Sequence, residues 1–222
     1  CTMVLWDLAG KLLKQPVFRL LGAEKPGNVP VYDGSIYFSD LLPKHRDRWQ
    51  DRFREEIDMG MQAGHRAFKI KVGRGNKWMA REAGDARDVE VLEVIRKHAG
   101  DDVLLGVDAN NGYDLAGAKR FVQRTRGIGL AFVEEPFPEQ VPQCIELKQC
   151  LAEQGGKTLL ADGEGKDNID VYRPFVEAKA LDVLQGDMNG FGIEGIIDEA
   201  ALARPQGILV APHNWSSLAS LY

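Results

Sequence analysis

The chain has 222 residues, of which 44% are hydrophobic and 27% charged, and its formal net charge is -5. That length allows one large core, and the negative charge argues against nucleic acid as a main partner. No apolar run approaches the roughly 18 residues of a membrane span, and no signal segment is recognised, so we expect a cytoplasmic protein that binds small molecules and no membrane.

Strand-like and helix-like stretches alternate along the chain. An amphipathic helix is predicted over 2–14, where apolar residues recur at helical spacing until Pro16. A charged helix over 46–63 places Trp49, Phe53, Ile57 and Met61 on one face. Strands are predicted over 29–35, 68–72, 103–108, 130–134, 158–161, 181–184 and 208–211, and the later helices over 81–99, 114–125, 141–154, 169–178 and 193–203.

Strict alternation predicts an α/β fold with a parallel sheet, either doubly wound or closed into a barrel. A doubly wound nucleotide-binding protein needs a glycine-rich turn after its first strand, and Asp33-Gly34-Ser35-Ile36 does not provide one. A (β/α)8 TIM barrel uses about 30 residues per unit and carries its active groups at the carboxyl ends of the strands. We therefore predict a TIM-barrel domain over 1–222 without an internal boundary.

Two lysines, Lys69 and Lys71, lie one residue apart in the strand Phe68-Lys69-Ile70-Lys71-Val72. Alternation directs both side chains to one face of the sheet. Two ammonium groups crowded in a water-poor place tend to lower the pKa of at least one of them, and such a lysine can act as a base. Taken alone, the pattern is more typical of solvated lysines on an exposed edge strand.

Each later strand is followed by an ionisable residue. In chain order these are Asp108, Glu134 with Glu135 beside it, Glu164, Asp187 and His213, separated from Lys71 and from one another by 37, 26, 30, 23 and 26 residues. Each interval is about one βα unit, so the residues are expected at one rim of the barrel. Individually, Asp108 could be a turn former, Glu134 a strand-end charge and Glu164 a loop residue, and Asp162 and Asp167 compete with Glu164 as a third ligand.

These residue types suit one kind of chemistry. Three carboxylates form an oxygen-rich site that suits Mg²⁺ better than zinc. A lysine and a histidine supply two acid/base groups, and Asp187 can fix the tautomer of His213. A metal on a substrate carboxylate makes its α-proton easier to remove through an enediolate, so the sequence predicts abstraction of an α-proton from a carboxylate substrate.

At these residues the chain resembles the enolase superfamily, specifically its mandelate racemase subgroup, whose known chemistry combines Mg²⁺ with a lysine or histidine base. The similar motifs are FKIKVG, GVDANNGY, VEEPF, LLADGEG, LQGDMNGFGI and APHNW, together with the opening helix. The resemblance implies a modified (β/α)7β barrel, Mg²⁺ as cofactor and a sugar acid as partner. The roles it implies are base for Lys71, substrate carboxylate binding for Lys69, metal binding for Asp108, Glu134 and Glu164, substrate contact for Asn110, an outer position for Glu135, and a dyad of Asp187 and His213.

The chain also departs from the subgroup's pattern. MNGFGI after Asp187 lacks the usual Lys and Gly-Gly pair, which argues against the muconate-lactonising subgroup. The long interval before Asp108 is interpreted as an insertion around 74–88, and Arg74 to Arg87 as a solvated face. Nothing matches the N-terminal capping domain or the eighth strand, so we expect a fragment. Trp215 either lines the pocket or caps the barrel.

The expected activity is dehydration of an acid sugar to a 2-keto-3-deoxy sugar acid by a lyase. The alternative is racemisation or epimerisation of a 2-hydroxy acid by the same Lys71 and His213. A second alternative is a non-catalytic barrel that only binds metal. We also expect a homo-oligomer.

Overall fold

The structure, a computed structural model, describes residues 2–155, 157–166 and 168–214. They belong to two compact units, which we call the central unit, residues 31–161, and the terminal unit, residues 1–30 together with 162–222. The helices are α1 Thr2–Leu13, α2 Val17–Leu20, α3 Trp49–Gln62, α4 Arg81–Ala99, α5 Leu115–Arg124, α6 Val141–Glu153, α7 Arg173–Glu177 and α8 Met188–Ala203. The strands are β1 Asp33–Ile36, β2 Ala67–Lys71, β3 Leu104–Asp108, β4 Phe132–Glu134, β5 Leu159–Asp162, β6 Val183–Leu184 and β7 Leu209–Val210.

The central unit is built on parallel pairing of successive strands. β2 pairs with β1 and β3, and β4 pairs with β3 and with the Leu159–Ala161 part of β5. Parallel strands covered on both faces need apolar side chains on both faces. Phe68, Ile70, Leu105 and Val107 accordingly have 0% exposure. Because β2, β3 and β4 are in register, the residues at their carboxyl ends lie side by side.

The terminal unit contains β6 and β7, which pair in parallel through Val183 with Leu209 and Leu184 with Val210. Helices α1 and α8 contact each other, and the indole nitrogen of Trp6 donates to Glu194 over 2.7 Å. An isolated parallel bridge beyond the strands joins Asp187 to His213. The polar ends of β6 and β7 are therefore held together by backbone pairing.

Within each unit the strands follow one another in chain order, β1 to β5 in the central unit and β6 to β7 in the terminal unit, and every described strand pair is parallel. This order with intervening helices confirms the predicted α/β fold of the β/α barrel type. None of the helices in the described ranges has the length and apolar character needed to cross a bilayer.

Several element boundaries differ from the predicted ones for local reasons. α3 begins at Trp49 because Pro43–Arg48 forms a 3₁₀ helix. On its predicted face Trp49, Phe53 and Ile57 are buried, whereas Met61 near the end of the helix is only partly buried. The predicted helix 169–178 divides into the 3₁₀ turn Ile169–Tyr172 and α7. α8 starts five residues earlier than predicted, because Asp187 caps it, and Gly192 interrupts it at φ +69°.

Most of the long interval between Lys71 and Asp108 is taken up by the loop 72–80 and the 19-residue helix α4. The loop is closed by a bridge between Gly75 and Met79. Gly84 of α4 packs so tightly against it that a Cβ there would lie 2.4 Å from the nitrogen of Gly75. The segment is therefore a packed part of the central unit.

Candidate active site

The central unit brings both lysines to buried carboxylates. Lys71 aligns with Asp108 across β2 and β3, and Asp108 aligns with Glu134 across β3 and β4. The ammonium of Lys71 binds Asp108, and that of Lys69 binds Glu134 and also approaches Oδ2 of Asp108 at 3.2 Å. All four side chains are at most 9% exposed, so the edge-strand alternative with solvated lysines is wrong.

Charge compensation corrects the expected effect of the lysine pair. Burial alone would lower the pKa of Lys69, but the negative charges of Glu134 and Asp108 outweigh it, and the pKa is raised. Burial alone would raise the pKa of Asp108, but the charges of Lys69 and Lys71 lower it below the usual range. The pKa lowering expected for at least one of the two lysines does not occur at Lys69, because its ammonium contacts both Glu134 and Asp108.

Asn110 connects Lys71 to Glu135. Its side-chain oxygen accepts from Lys71 Nζ at 2.7 Å, and its side-chain nitrogen donates to Glu135 Oε2 at 3.0 Å. Asn110 and Glu135 both have positive φ, +42° and +43°, a conformation that costs energy outside glycine and often marks functional sites. Asn110 therefore lies beside the lysine, and Glu135 lies behind Asn110, facing its amide.

Two aromatic residues near the lysines were not singled out from the sequence. The rings of Tyr32 and Tyr37 lie 5.5 Å from Lys69 Nζ and 5.4 Å from Lys71 Nζ, within cation–π range. Burial, reinforced by the charge of Glu134, raises the pKa of Tyr32 to about 12. Tyr37 remains 45% exposed. Their positions at both ends of the Asp33-Gly34-Ser35-Ile36 strand were the available signal.

A buried ion-pair network lies directly behind Lys71. Arg74 is 0% exposed and binds Asp40 at 2.7 Å, Asp88 at 2.6 Å and the carbonyl of Lys71 at 3.2 Å. The hydroxyl of Tyr113 donates to Asp88 over 2.6 Å. The interpretation of Arg74 to Arg87 as a solvated face is wrong at Arg74, which is completely buried, as is its partner Asp88.

The terminal unit contains the predicted dyad. Nδ1 of His213 lies 3.0 Å from Oδ2 of Asp187, and Nε2 of His213 lies 3.0 Å from Oε2 of Glu164. Burial alone would raise the pKa of Asp187, but hydrogen bonds from the Asn189 backbone and from His213 lower it. Asp187 therefore stays ionised beside the imidazole of His213. A carboxylate in this position favours the protonated form of the imidazole.

The remaining candidates differ in what they contact. Oδ1 of Asp162, the competitor of Glu164, accepts from the nitrogen of Gly163 at 2.8 Å and lies 3.5 Å from the hydroxyl of Tyr172. That carboxylate is therefore engaged in holding its own turn. Asp167 and Trp215 lie outside the described residues.

Each unit contributes carboxylates of the kind that suits a hard divalent cation. Asp108 and Glu134 present buried carboxylate oxygens from adjacent strands, with side chains 0% and 1% exposed. Glu164 supplies a carboxylate of the same kind in the terminal unit, 19% exposed. Oxygen ligands of this sort are those that Mg²⁺ prefers.

Comparison with known proteins gives concordant relatives. Residues 52–222 match the family model described as enolase C-terminal domain-like. Over 210 residues the chain is 28% identical to arabinonate dehydratase of Saccharolobus solfataricus, covering 94% of this chain and 51% of that protein. It is 29% identical over 217 residues to D-galactarolactone cycloisomerase of Agrobacterium fabrum, with coverage of 97% and 52%. The chain thus spans about half the length of these curated relatives.

Solved structures of the same group of enzymes superpose on this chain. A variant of galacturonate dehydratase from a Geobacillus species, complexed with Mg, superposes with a TM-score of 0.85 at 31% identity over 98% of this chain and 57% of its own. A mandelate racemase/muconate lactonizing protein from the same genus, complexed with magnesium and tartrate, gives a TM-score of 0.87 at 31% identity with the same coverage. With more than half of its length matched by the family model, this chain belongs to the enolase C-terminal domain-like family of the enolase superfamily.

Proposed function

We propose that the chain forms the barrel part of a Mg²⁺-dependent dehydratase that converts an acid sugar into a 2-keto-3-deoxy sugar acid. The observation that carries the proposal is the Asp187–His213 pair, a carboxylate-oriented imidazole that can protonate a leaving hydroxyl. Relatives named as arabinonate dehydratase and as D-gluconate/D-galactonate dehydratase support the same reaction class.

Lys71 is the proposed base. It accepts the proton on the carbon next to the carboxylate, and Asn110 and Asp108 hold its nitrogen in place. Lys69 is proposed to bind the substrate carboxylate. The charges of Glu134 and Asp108 keep it positively charged. A positive charge placed there stabilises the negative charge that develops as the proton leaves.

Asp108, Glu134 and Glu164 are the proposed ligands of Mg²⁺. When bound, the ion would supply the charge stabilisation at the substrate carboxylate that makes such a weakly acidic proton removable. Two of these carboxylates are buried in the central unit with lysines as neighbours, which keeps them pre-arranged.

His213 completes the proposed reaction. Its protonated ring gives a proton to the β-hydroxyl, which leaves as water. The resulting enol loses its hydroxyl proton and gains one at the β-carbon to become the keto acid. Asp187 keeps the imidazole oriented through Nδ1, so that Nε2 is the nitrogen that acts. The substrate loses one water in total, and no redox partner is needed.

The second candidate is racemisation or epimerisation of a 2-hydroxy acid, which needs the same Lys71 and His213 on opposite faces of one carbon. The similarity to a mandelate racemase/muconate lactonizing protein supports it. A metal-binding barrel without turnover is the third reading, and the presence of every proposed acid, base and ligand among the described residues speaks against it.

A screen tests the proposal. The full-length protein is incubated with Mg²⁺ and a set of sugar acids in D₂O, and α-proton exchange and keto products are followed by NMR. A 2-keto-3-deoxy product supports dehydration, and deuterium incorporation with inversion and without a keto product supports the racemase. Absence of both with every acid, in a protein shown to bind Mg²⁺, overturns the enzyme proposal.

A further inference from the structure

Glu199 of α8 is a buried acid that the reaction above does not use. Its side chain has 0% exposure, and its Oε1 accepts a hydrogen bond from the nitrogen of Gly186 at 3.0 Å. Its Oε2 has no hydrogen-bond partner among the described residues. A buried carboxyl group with one unsatisfied oxygen is costly, so its presence calls for an explanation.

Gly186 lies at the point where the two strands of the dyad meet. Its nitrogen is held by Glu199, its carbonyl accepts from the nitrogen of His213 at 3.1 Å, and Asp187 is the next residue. A Cβ at position 186 would lie 2.7 Å from Oε2 of Glu199, so only glycine lets the carboxyl group come this close. The Glu199 carboxyl therefore holds the backbone of Gly186 in place. That backbone positions Asp187 through the peptide bond and His213 through a hydrogen bond.

We propose that Glu199 is a positioning residue for the Asp187–His213 pair, acting through both backbone groups of Gly186. The proposal rests on the proposed function for its catalytic consequence, but its structural part concerns only the terminal unit. Without an acceptor at position 199, the buried nitrogen of Gly186 loses its partner. The segment between β6 and α8 then shifts, and the Asp187 carboxylate moves away from Nδ1 of His213.

The contact between Glu199 and Gly186 does not depend on whether the carboxyl group is protonated. Burial raises the pKa of Glu199 to about 7, while the hydrogen bond from Gly186 lowers it only in part. Within the part of the chain that the structure describes, no charged side chain contributes to this shift. The protonated and the ionised group both present an acceptor oxygen to Gly186, so the positioning contact persists in either state.

Three variants separate positioning from mere folding. Glu199→Gln keeps a carbonyl acceptor of the same length, Glu199→Met removes the acceptor at similar size, and Glu199→Asp withdraws it by one methylene while keeping the acid. The matched control is Asp198→Met, which changes the exposed neighbour on the same helix.

The first readout is the imidazole NMR signal of His213 in the full-length protein without substrate, assigned with His213→Asn among the four histidines. We expect the hydrogen-bonded Nδ1 proton to be retained in Glu199→Gln and Asp198→Met. It should shift or disappear in Glu199→Met and Glu199→Asp. Unchanged signals in both of these folded variants overturn the proposal. Because no turnover is involved, this result stands even if no acid proves to be a substrate.

The second readout uses a substrate found by the screen. Misplacing a catalytic group by about 1 Å costs up to about 100-fold in rate. We expect Glu199→Met to lower kcat for keto product formation to that extent, with KM and Lys71-dependent α-proton exchange nearly unchanged. An equal loss of exchange and product formation indicates a general folding role and contradicts positioning.

Discussion

Asp187 binds His213 with one carboxylate oxygen and begins helix α8 with the other. Oδ2 lies 3.0 Å from Nδ1 of His213, while Oδ1 accepts from the nitrogen of Asn189 at 2.6 Å as the N-cap of the helix. A capping carboxylate is locked by its helix. The orientation of the imidazole is therefore tied to the start of α8, and no flexible loop intervenes.

Replacing Asp187 tests this coupling. Asp187→Asn keeps an oxygen that can cap α8 but removes the negative charge that favours a protonated His213. Loss of general acid–base assistance costs about 100-fold or more, so we expect kcat for dehydration to fall to that extent with little loss of stability. Asp198→Asn, which alters an exposed acid on the same helix, should retain activity. A kcat within threefold of wild type in Asp187→Asn contradicts the proposed role.

The three proposed ligands predict a loss of Mg²⁺ affinity in each single variant. Asp108→Asn, Glu134→Gln and Glu164→Gln each remove one charged oxygen donor, so each should weaken Mg²⁺ binding in calorimetry by at least about tenfold, whereas the exposed Glu153→Gln should not. Asp108→Asn has a further effect, because it leaves Lys69 and Lys71 short of a partner. Its melting temperature should therefore fall even without metal. Unchanged Mg²⁺ affinity in all three variants refutes this ligand set.

The network behind Lys71 predicts a large effect on stability. Arg74→Met leaves Asp40 and Asp88 buried without their common partner, which should cost about 3–5 kcal/mol in the free energy of unfolding. Arg74→Lys should rescue only part of this, because an ammonium cannot bind two carboxylates in the planar manner of a guanidinium. Chemical denaturation measures the free energy of unfolding of both variants, and Arg126→Met, which changes an exposed arginine, is the control. A loss below about 1 kcal/mol in Arg74→Met contradicts the account.

Glu199 predicts a pH dependence of stability. Its pKa is raised from 4.5 to about 7 in the folded protein, so between these values the folded state binds more protons than the unfolded one. Stability from this group is present below pH 4.5 and is lost as pH rises to 7, by at most about 3 kcal/mol. Glu199→Gln should therefore melt higher than wild type above pH 7, and the difference should shrink below pH 5. A difference independent of pH excludes this titration.

Part of the site follows from the sequence because periodicity determines it. Alternation in β2 directs Lys69 and Lys71 to one face, and the spacing of one βα unit places Asp108 and Glu134 in register. Periodicity cannot show which charges lose contact with water. The charge pattern therefore predicts a solvated Arg74, although this residue is completely buried, and it gives no sign that the ring of Tyr37 lies beside Lys71.

The terminal unit shows the same limit. Two strand ends one unit apart predict the Asp187–His213 pair, and the structure brings these residues into contact. The approach of Glu164 to Nε2 of His213 and the burial of Glu199 under Gly186 depend on how the chain turns after each strand. Sequence spacing does not contain that information.

The most direct test of the central claim compares Lys71→Ala with His213→Asn on a substrate from the acid-sugar screen, in D₂O with Mg²⁺. The account predicts that Lys71→Ala abolishes both α-proton exchange and keto product formation. His213→Asn should retain exchange while losing at least about 100-fold in product formation. Full activity of either variant contradicts the division of roles between lysine and histidine.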